Sequence, residues 1–346
     1  MKNKNLLIWA SDLSPNTGEG ILARTFLTEI KKITDYKKIK IKTFERTIHA
    51  GKLDINKIKL KEVVKKNIFH KYLGPVYGAI YLLRFSRKYE VMYLNYLPLW
   101  NFLIFIILPK KTILGPITGG LYKETGANLN LIIRKYFFPI FYNISKIIIF
   151  RKFKKAIFST EILKPFIKKN KYYLYNFIFI LFKIKTHHIK KKYDIIFYNR
   201  NHAAKHSDKV KKILIYLSNF CSVCIVGDTF EQGNVKNFGW IKRNKVFELI
   251  KESKMAFNSS ENSLSIFGID CFNHGVPVLC DSNLESQIKF KNDLYIRLNF
   301  NNFQKSCEKI LSLLTQKKTK QHLTPWNNIF LKKNKIKNFL FLYLRS

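Results

Sequence analysis

Acidic residues are scarce in this chain of 346 residues. It carries 22 Asp and Glu against 63 Lys and Arg, which gives a formal net charge of +41 at pH 7. A drift of composition toward Lys, Ile, Asn and Phe accounts for such an excess. Attraction to a polyanion, such as a membrane surface, a nucleic acid or a phosphorylated substrate, accounts for it equally well. The basic residues are spread along the whole chain, so no specific nucleic-acid partner is indicated.

Cysteine is also rare, and the chain has five such residues without the spacing of a disulfide framework. This favours a reducing compartment. Cys221 and Cys224 have C-x-x-C spacing, but no second pair completes a zinc site, so we interpret both as core residues. No two aspartates have D-x-D spacing. That spacing is the usual signature of a pair of carboxylates that bind a metal ion, which in turn holds a diphosphate. The sequence therefore predicts no metal site and indicates no cofactor.

Long hydrophobic runs are missing as well. A membrane-spanning helix needs roughly 18 or more apolar residues, and the segments Leu97–Leu108 and Tyr172–Phe182 are too short. The apolar part of Met1–Asn16 is too short for the core of a signal peptide. We therefore expect a cytoplasmic protein. The chain is nevertheless 47% hydrophobic, which is enough to build buried cores.

Strand-like runs alternate with helix-like runs along the chain. Several are continuously apolar, as strands buried on both faces of a parallel sheet are. The predicted strands are Leu6–Ala10, Ile39–Phe44, Val91–Tyr96, Thr112–Gly115, Ala156–Ser159, Asp194–Tyr198, Ser222–Val226, Met255–Ser259, Pro277–Cys280 and Leu294–Arg297. Alternating strands and helices predict an α/β fold, and two such series predict two Rossmann-like domains that face a cleft.

The boundary between these domains is predicted in the basic run Lys183–Tyr193. We expect an N-terminal domain over residues 1–185 and a C-terminal domain over residues 190–322. Residues 323–346 form a tail that is too apolar for a disordered end, so we expect it to pack back on the body.

A glycine-containing loop follows the first predicted strand. Gly18, Gly20 and Ala23 fit the G-x-G-x-x-A pattern of dinucleotide-binding folds, and Glu45 follows the next strand, where a ribose-binding acid belongs. The first glycine, however, lies eight positions beyond Ala10, whereas a dinucleotide fold turns directly from strand into glycine. A longer loop favours glycine amides that face a phosphate or a sugar at a helix start. A turn that needs glycine for its backbone angles is the remaining alternative.

A second glycine-rich segment, GPITGG, follows the predicted strand Thr112–Gly115. Such loops lie at the carboxyl ends of parallel strands, where open α/β sheets bind ligands. Either close approach of a ligand or a tight turn explains the glycines. The candidate ligand-contacting residues are Gly115, Thr118, Gly119 and Gly120.

A basic pair follows the first strand of the second half. When the bond between a sugar and a diphosphate breaks, negative charge develops on the leaving phosphate, and fixed cations stabilise it in the absence of a metal. Arg200 offers a planar fork for phosphate oxygens, and Lys205 offers a compact charge. Both are therefore candidate catalytic and donor-binding residues, although a chain so rich in lysine and arginine contains many such pairs.

A polar segment follows the predicted strand Met255–Ser259. Carboxylate and amide groups there accept hydrogen bonds from sugar hydroxyls, and a helix opening at Ser265–Phe267 presents free amides to a diphosphate. The candidate residues are Glu261, Asn262, Ser265, Ile266, Phe267 and Asp270. Gly275 and Pro277 end this helix. An ordinary strand–helix–strand unit with a capping Ser or Asn is the alternative.

The order and spacing of these motifs resemble GT-B-fold glycosyltransferases, specifically the retaining family 4. Its members have a glycine loop after the first strand, an Arg-x4-Lys pair at the start of the second domain and an E-x7-E segment that ends in G-x-P-V. The matching residues are Gly18, Gly20, Arg200, Lys205, Gly275, Pro277 and Val278, with Gly239, Ile241, Arg243 and Val246 between them. The similarity is strongest over Asp194–Ser282 and patchy in the first half.

The segment departs from the family in two places. When the family's E-x7-E segment is aligned on Gly275, its second glutamate position is occupied here by Asp270 and its first by Asn262. Glu261 lies one residue before the first position. The resemblance implies that Asp270 holds ribose hydroxyls and that Glu261 or Asn262 contacts the donor sugar, with Glu261 as a candidate catalytic residue. No residue clearly matches the family's N-domain histidine; His49 and His70 are candidates by elimination.

The resemblance implies a metal-independent, retaining enzyme that transfers a sugar from a nucleotide diphosphate to a glycan or lipid-linked acceptor in cell-surface polysaccharide or lipopolysaccharide assembly. A nucleotide-sugar epimerase of the same fold and a non-catalytic basic binding protein are the alternatives. Residues Leu129–Lys155 mix apolar and basic side chains, and family members that act on lipid-linked acceptors rest on the inner leaflet through such a surface. A buried helix with solvated ends is the alternative interpretation. We therefore expect an anionic membrane surface as a partner, with the protein peripherally attached to the inner leaflet.

Overall fold

The computed structural model describes most of the chain, in segments. These are residues 5–33, 36, 38–44, 47–50, 68–118, 129–153, 155–159, 173–174, 176–183, 189–200, 207–258, 265–282, 294–316 and 326–345. The chain divides into two compact units. The first comprises residues 1–180 with 333–346, and the second comprises residues 181–332.

The first unit alternates strands and helices from its start. Its elements are β1 (Asn5–Ala10), α1 (Gly18–Lys31), β2 (Lys38–Lys42), β3 (Thr47–Ala50), α2 (Ile68–Phe85), β4 (Glu90–Asn95), α3 (Phe102–Ile107), β5 (Ile113–Leu114), α4 (Leu129–Lys152), β6 (Ala156–Ile157) and β7 (Tyr173–Leu174). A 3-10 turn at Phe177–Leu181 ends the run.

Five of these strands form one sheet in the order β3-β2-β1-β4-β5. All neighbours are parallel except β3, which pairs antiparallel with β2. The apolar strand β1 lies at its centre, and its residues from Leu6 onward are buried. Helices α2, α3 and α4 share one hydrophobic core with the sheet, built around the fully buried rings of Trp9 and Tyr93. All three helices therefore cover the same face of the sheet.

The second unit repeats the alternation. Its elements are β8 (Tyr193–Asn199), α5 (Ser207–Leu217), β9 (Val223–Gly227), β10 (Val235–Asn237), α6 (Arg243–Lys251), β11 (Ser253–Phe257), α7 (Ile266–Asn273), β12 (Val278–Asp281), β13 (Tyr295–Leu298), α8 (Phe303–Thr315) and α9 (Trp326–Arg345). The last helix crosses from the second unit into the first. There Lys155 Nζ donates a hydrogen bond of 2.6 Å to the carbonyl of Leu342.

The sheet of the second unit has six parallel strands in the order β10-β9-β8-β11-β12-β13. The order reverses between β8 and β11, which is the kind of position where ligands bind in open α/β sheets. Cys224, on β9, is buried, Cys221 is partly exposed, and both are free thiols.

The α/β class and the two Rossmann-like units confirm the fold predicted from the sequence. All ten predicted strands are present, with ends displaced by up to two residues. Strands β3, β7 and β10 are not among the ten predicted strands. The antiparallel β3 and the short β10 mix apolar with polar residues, and β7 is only two residues long within the apolar segment Tyr172–Phe182. Among the described residues, no helix combines the length and apolar character that crossing a membrane requires.

Candidate functional site

The carboxyl ends of β8 and β9 are joined by hydrogen bonds. Asn199 Nδ2 donates to the Asp228 carbonyl at 2.8 Å, and the Asp228 amide donates to the Asn199 carbonyl at 3.1 Å. Gly227 has a φ of +101°, and a Cβ there would lie 2.2 Å from the Asn199 carbonyl oxygen, so only glycine fits. Asn199 Oδ1 is buried without a hydrogen-bond partner among the described residues. The backbone at this edge of the sheet is therefore fixed by hydrogen bonds, and Asn199 Oδ1 is left as a hydrogen-bond acceptor.

Three aromatic rings converge at the same edge. Tyr198 stacks on Phe267 of α7, with ring centroids 5.7 Å apart and planes at 26°, and meets Trp240 edge-on at 6.0 Å. Trp240 Nε1 donates to Asp228 Oδ1 at 2.8 Å, which fixes the indole although 64% of the residue is exposed. A fixed and exposed indole provides a flat surface on which a planar ligand group can stack.

Helix α7 begins at this edge because it follows β11. Ser265 caps it, since its Oγ accepts a hydrogen bond from the Gly268 amide at 2.9 Å and donates one to Asn258 Oδ1. Ile266 and Phe267 occupy the first turn. Their amides have no carbonyl partner within the helix, so the tip carries a partial positive charge directed toward any anion in front of it.

Asp270 lies one turn further along α7 and pairs with Arg243 of α6. Arg243 Nη2 approaches the two carboxylate oxygens at 2.7 and 2.8 Å, and Nε donates to Oδ2 at 3.3 Å. The Arg243 guanidinium also lies 5.0 Å from the Phe247 ring centroid. Burial raises the pKa of Asp270 to about 6, although Arg243 acts in the opposite direction. The carboxylate is therefore held in one orientation by a cation on a neighbouring helix.

Arg200 is exposed directly after β8. Burial raises the pKa of the Tyr198 hydroxyl, and the charge of Arg200, two residues along the chain, partly offsets that rise. The other predicted members of the donor site, Lys205, Glu261 and Asn262, lie outside the described residues. Within the described residues no cluster of three His, Cys, Asp or Glu side chains is placed to hold a metal ion.

The glycine loop of the first unit is tightly bound to itself. Asp12 accepts hydrogen bonds from the Ser14 amide at 2.8 Å and from Thr17 Oγ1 at 2.6 Å, and the Gly20 amide donates to Thr17 Oγ1 at 3.1 Å. A Cβ on Gly20 would lie 2.1 Å from the Ser14 carbonyl oxygen. Gly20 therefore permits a close turn of the loop, and exposed Gly18 opens α1.

The second glycine segment is packed in a similar way. Gly115 donates its amide hydrogen to the Tyr93 carbonyl at 2.8 Å, and a Cβ there would lie 2.1 Å from the Leu94 carbonyl oxygen. The Thr118 amide donates to the Leu97 carbonyl at 2.8 Å. Gly119 and Gly120 lie outside the described residues. His49 is part of β3 and His70 is part of α2.

Sequence reasoning missed three residues at the edge of the second sheet: Tyr198, Asp228 and Trp240. Asp228 follows a predicted apolar strand, and its acidic side chain at the carboxyl end of that strand was the available signal. Nothing local marks the contact of Trp240 with Asp228, because the tertiary fold brings the two together.

Comparison with family models finds no match, and comparison with curated protein sequences finds none either. Comparison with solved structures finds similar folds over the whole chain. Sucrose-phosphate synthase from Thermosynechococcus elongatus is 11% identical, with 98% of this chain and 95% of that chain covered and a TM-score of 0.58. HepE from Anabaena, in complex with UDP and glucose, is 10% identical, with 98% and 94% covered and a TM-score of 0.54. WaaG, a glycosyltransferase involved in lipopolysaccharide biosynthesis, is 12% identical, with 99% and 95% covered and a TM-score of 0.54.

These likenesses confirm the GT-B type of fold, with two parallel sheets and their covering helices. At such low identity they establish the fold and carry no residue assignments.

Proposed function

We propose that this chain is a glycosyltransferase that moves a sugar from a nucleotide diphosphate to a glycan or lipid-linked acceptor. The arrangement that carries the proposal is the carboxyl edge of the second sheet. An exposed arginine, a capped helix tip and a fixed aromatic surface meet there at the point where the strand order reverses. Such positions bind nucleotides in open α/β sheets, and the fold shared with HepE and WaaG supports the same reading.

In the proposed mechanism the diphosphate lies in front of the α7 tip. Amides at Ile266 and Phe267 face its oxygens. As the acceptor hydroxyl forms a bond to the anomeric carbon and loses its proton, the bond from that carbon to the diphosphate breaks, and Arg200 and Lys205 stabilise the negative charge that develops on the departing diphosphate. Fixed cations take the place of a metal in this proposal. Asp270 accepts hydrogen bonds from the ribose hydroxyls, and Glu261 or Asn262 contacts the sugar. Retention of the anomeric configuration is part of the proposal, by the resemblance to family 4.

The first unit is proposed to supply the acceptor side. Its carboxyl-edge loops at Gly18–Gly20 and Gly115–Gly120 are the candidate contacts. We propose that the chain works in the cytoplasm at the inner leaflet, where a lipid-linked acceptor for cell-surface polysaccharide is presented, and the excess of positive charge supports this location.

The direct test of the assignment is ligand binding. A ligand that binds the native state raises the melting temperature, and the rise grows with the logarithm of the ligand concentration divided by its dissociation constant. We therefore expect one of the UDP-, GDP-, ADP- or CMP-linked sugars to stabilise the protein. The fold shared with HepE makes UDP-glucose the first to test. Incubation of that donor without acceptor checks for epimerisation. Conversion of the sugar in that control would identify the chain as a nucleotide-sugar epimerase and not as a transferase. Absence of stabilisation by every nucleotide would contradict it.

Trp240 provides a test of how the base is held. We expect Trp240→Ala to weaken donor binding about tenfold, because stacking of a base on an aromatic ring contributes about 1–3 kcal/mol. Trp240→Phe keeps a ring and is expected to retain most of the affinity. Calorimetry with the nucleoside diphosphate measures both. Phe220→Ala, at an aromatic residue that is 61% exposed elsewhere in the second unit, is the matched control and should bind as the wild type.

A further inference from the structure

Trp240 is a large aromatic residue with little packing around it. It lies in the segment between β10 and α6, and most of its surface is exposed. Within the described part of the chain, its ring contact is with Tyr198, which meets the indole edge-on at 6.0 Å. A side chain with so much exposed surface ordinarily rotates among several rotamers. One fixed orientation of the indole therefore needs a further contact.

That contact is the hydrogen bond from Trp240 Nε1 to the carboxylate of Asp228. The donor and acceptor atoms are 2.8 Å apart, and a carboxylate oxygen is a stronger acceptor than a neutral oxygen. An indole has a single hydrogen to donate. With that hydrogen directed at Asp228, the rotation of the ring is restrained, and a ligand meets the flat face of the indole and not its N–H group.

The pairing of two strands brings these residues together. The Gly227 amide donates to the Gly239 carbonyl at 2.9 Å, and Asp228 and Trp240 are the residues that follow these two glycines. Just before them, β9 and β10 pair as parallel strands. The two side chains therefore start from adjoining positions of the main chain, and the register of the strands sets the distance between them.

The carboxylate of Asp228 also starts from a fixed main chain. Asn199 binds the main-chain amide and carbonyl of Asp228, through its own carbonyl and its Nδ2. These two hydrogen bonds do not involve the Asp228 side chain, so replacement of that side chain leaves them in place. Asp228 can therefore be substituted while the joint between β8 and β9 is kept.

The charge of Asp228 does not suit a phosphate ligand. The proposed site receives a diphosphate, and a carboxylate close to an anion adds repulsion. Acids are also scarce in this chain, with 22 Asp and Glu against 63 Lys and Arg. An acid at this edge of the sheet therefore needs a use other than phosphate binding, and the hydrogen bond to Trp240 provides one.

We propose that Asp228 is a positioning residue for the donor: its carboxylate holds the Trp240 indole in the orientation in which the base of a nucleoside diphosphate stacks on it. An indole that is ordered before the ligand arrives need not be ordered during binding, so more of the stacking free energy appears as affinity. The inference rests on the proposed function, because it takes the ligand to be a nucleoside diphosphate.

Two other roles for the carboxylate predict a different pattern. A carboxylate that accepts a hydrogen bond from the base or the ribose contributes to binding whether or not Trp240 is present. The same is true of a carboxylate that supports the edge of the sheet as a whole. The proposed role, by contrast, requires the indole. Measuring Asp228→Ala with and without Trp240 therefore separates the proposed role from the other two.

The test is calorimetry with UDP, GDP, ADP and CDP, continued with the diphosphate that binds the wild type most tightly. We expect Asp228→Ala to weaken binding about threefold, which corresponds to ordering one side chain on binding. Asp228→Asn should bind within about twofold of the wild type, because its amide oxygen can still accept the indole hydrogen. Glu231→Ala, at an exposed acid further along the same loop, is the matched control and should bind as the wild type.

The double variant Trp240→Ala/Asp228→Ala completes the cycle. We expect it to bind as Trp240→Ala alone does, because without the indole the carboxylate has nothing to hold. An effect of Asp228→Ala that is equally large in both backgrounds would assign the carboxylate to direct contact with the ligand or to general support of the edge.

A second measurement needs no ligand. The chain has four tryptophans, whose indole N–H groups give separate NMR signals, and the signal that is missing in Trp240→Phe belongs to Trp240. We expect Asp228→Ala to move this signal and to speed the exchange of its hydrogen with water, because the hydrogen bond is lost. The indole signals of Trp9 and Trp100 should stay in place.

Three results would overturn the inference alone: an Asp228→Ala variant that binds the diphosphate as the wild type does, an equal loss with and without Trp240, or an unchanged Trp240 indole signal in Asp228→Ala. A wild type that binds none of these diphosphates would overturn the transferase assignment and this inference together. Failure of the inference and failure of the proposed function therefore give different results.

Discussion

Replacement of Arg200 by alanine is expected to lower kcat/KM for sugar transfer about 10²–10³-fold, which is the usual effect of removing one fixed group that stabilises charge in the transition state. The side chain is exposed after β8, so the fold should be unaffected. Arg200→Lys keeps a charge but loses the planar fork, and we expect intermediate activity. The measurement is initial rate against donor concentration, with melting temperature recorded for each variant.

Lys236→Ala is the matched control for this prediction. Lys236 is an exposed cation on β10 of the same sheet, where it lies 5.4 Å from the ring centroid of Phe238. If loss of any surface cation were enough to impair the reaction, both variants would lose activity together. An Arg200→Ala variant with wild-type kinetics would remove this residue from the catalytic account.

Replacement of Arg243 by methionine is expected to have the largest effect on stability, lowering the free energy of opening of α6 and α7 by about 3 kcal/mol. The substitution keeps much of the side-chain volume but leaves the carboxylate of Asp270 buried without its cation, and the Asp270 side chain is only 13% exposed. Hydrogen–deuterium exchange of the two helices measures the change locally. This is preferable to a single melting curve, because a chain with two units need not unfold in one step.

The loss of stability caused by Arg243→Met should depend on pH. Burial already raises the pKa of Asp270 to about 6 with Arg243 present, and removal of the cation raises it further. The folded state then binds a proton more tightly than the unfolded state, so stability falls as pH rises from about 4 through the folded pKa. The decrease in the free energy of opening caused by Arg243→Met should accordingly be smaller at pH 5 than at pH 8. Adding Asp270→Asn to this variant should restore most of the lost free energy at pH 8.

Another ion pair on the same helix provides the control. Lys245 and Glu248 are paired at 2.7 Å on α6, but both are more than half exposed, and such pairs contribute little. Lys245→Met should therefore leave hydrogen exchange unchanged. An Arg243→Met variant as stable as the wild type at both pH values would mean that the carboxyl group of Asp270 is not held as an anion by this pair.

The features predictable from the sequence are those that short stretches of chain determine. Strands such as β1 and β9 are continuously apolar, and a buried parallel strand has few other sequence patterns available. The start of α7 followed from the position of Ser265 before an apolar run, and the structure places that residue as the cap. Motif spacing also led to the GT-B type of fold, which the solved structures share.

The features that the sequence did not reveal depend on packing between distant segments. Arg243 and Asp270 are separated by 27 positions, and their pairing follows from how α6 lies beside α7. The glycines at 20 and 115 were interpreted as ligand loops or turns, and only the structure places a carbonyl oxygen 2.1 Å from where each Cβ would be.

The central claim is that the carboxyl edge of the second sheet holds a nucleotide diphosphate, and a crystal structure with the nucleoside diphosphate identified by thermal stabilisation tests it most directly. The account predicts phosphate oxygens at the tip of α7, within hydrogen-bonding distance of the Arg200 guanidinium, and the base against Trp240. A diphosphate bound at the Gly18–Gly20 loop of the first unit, as in a dinucleotide-binding enzyme, or one that lies away from both Arg200 and α7, would contradict it.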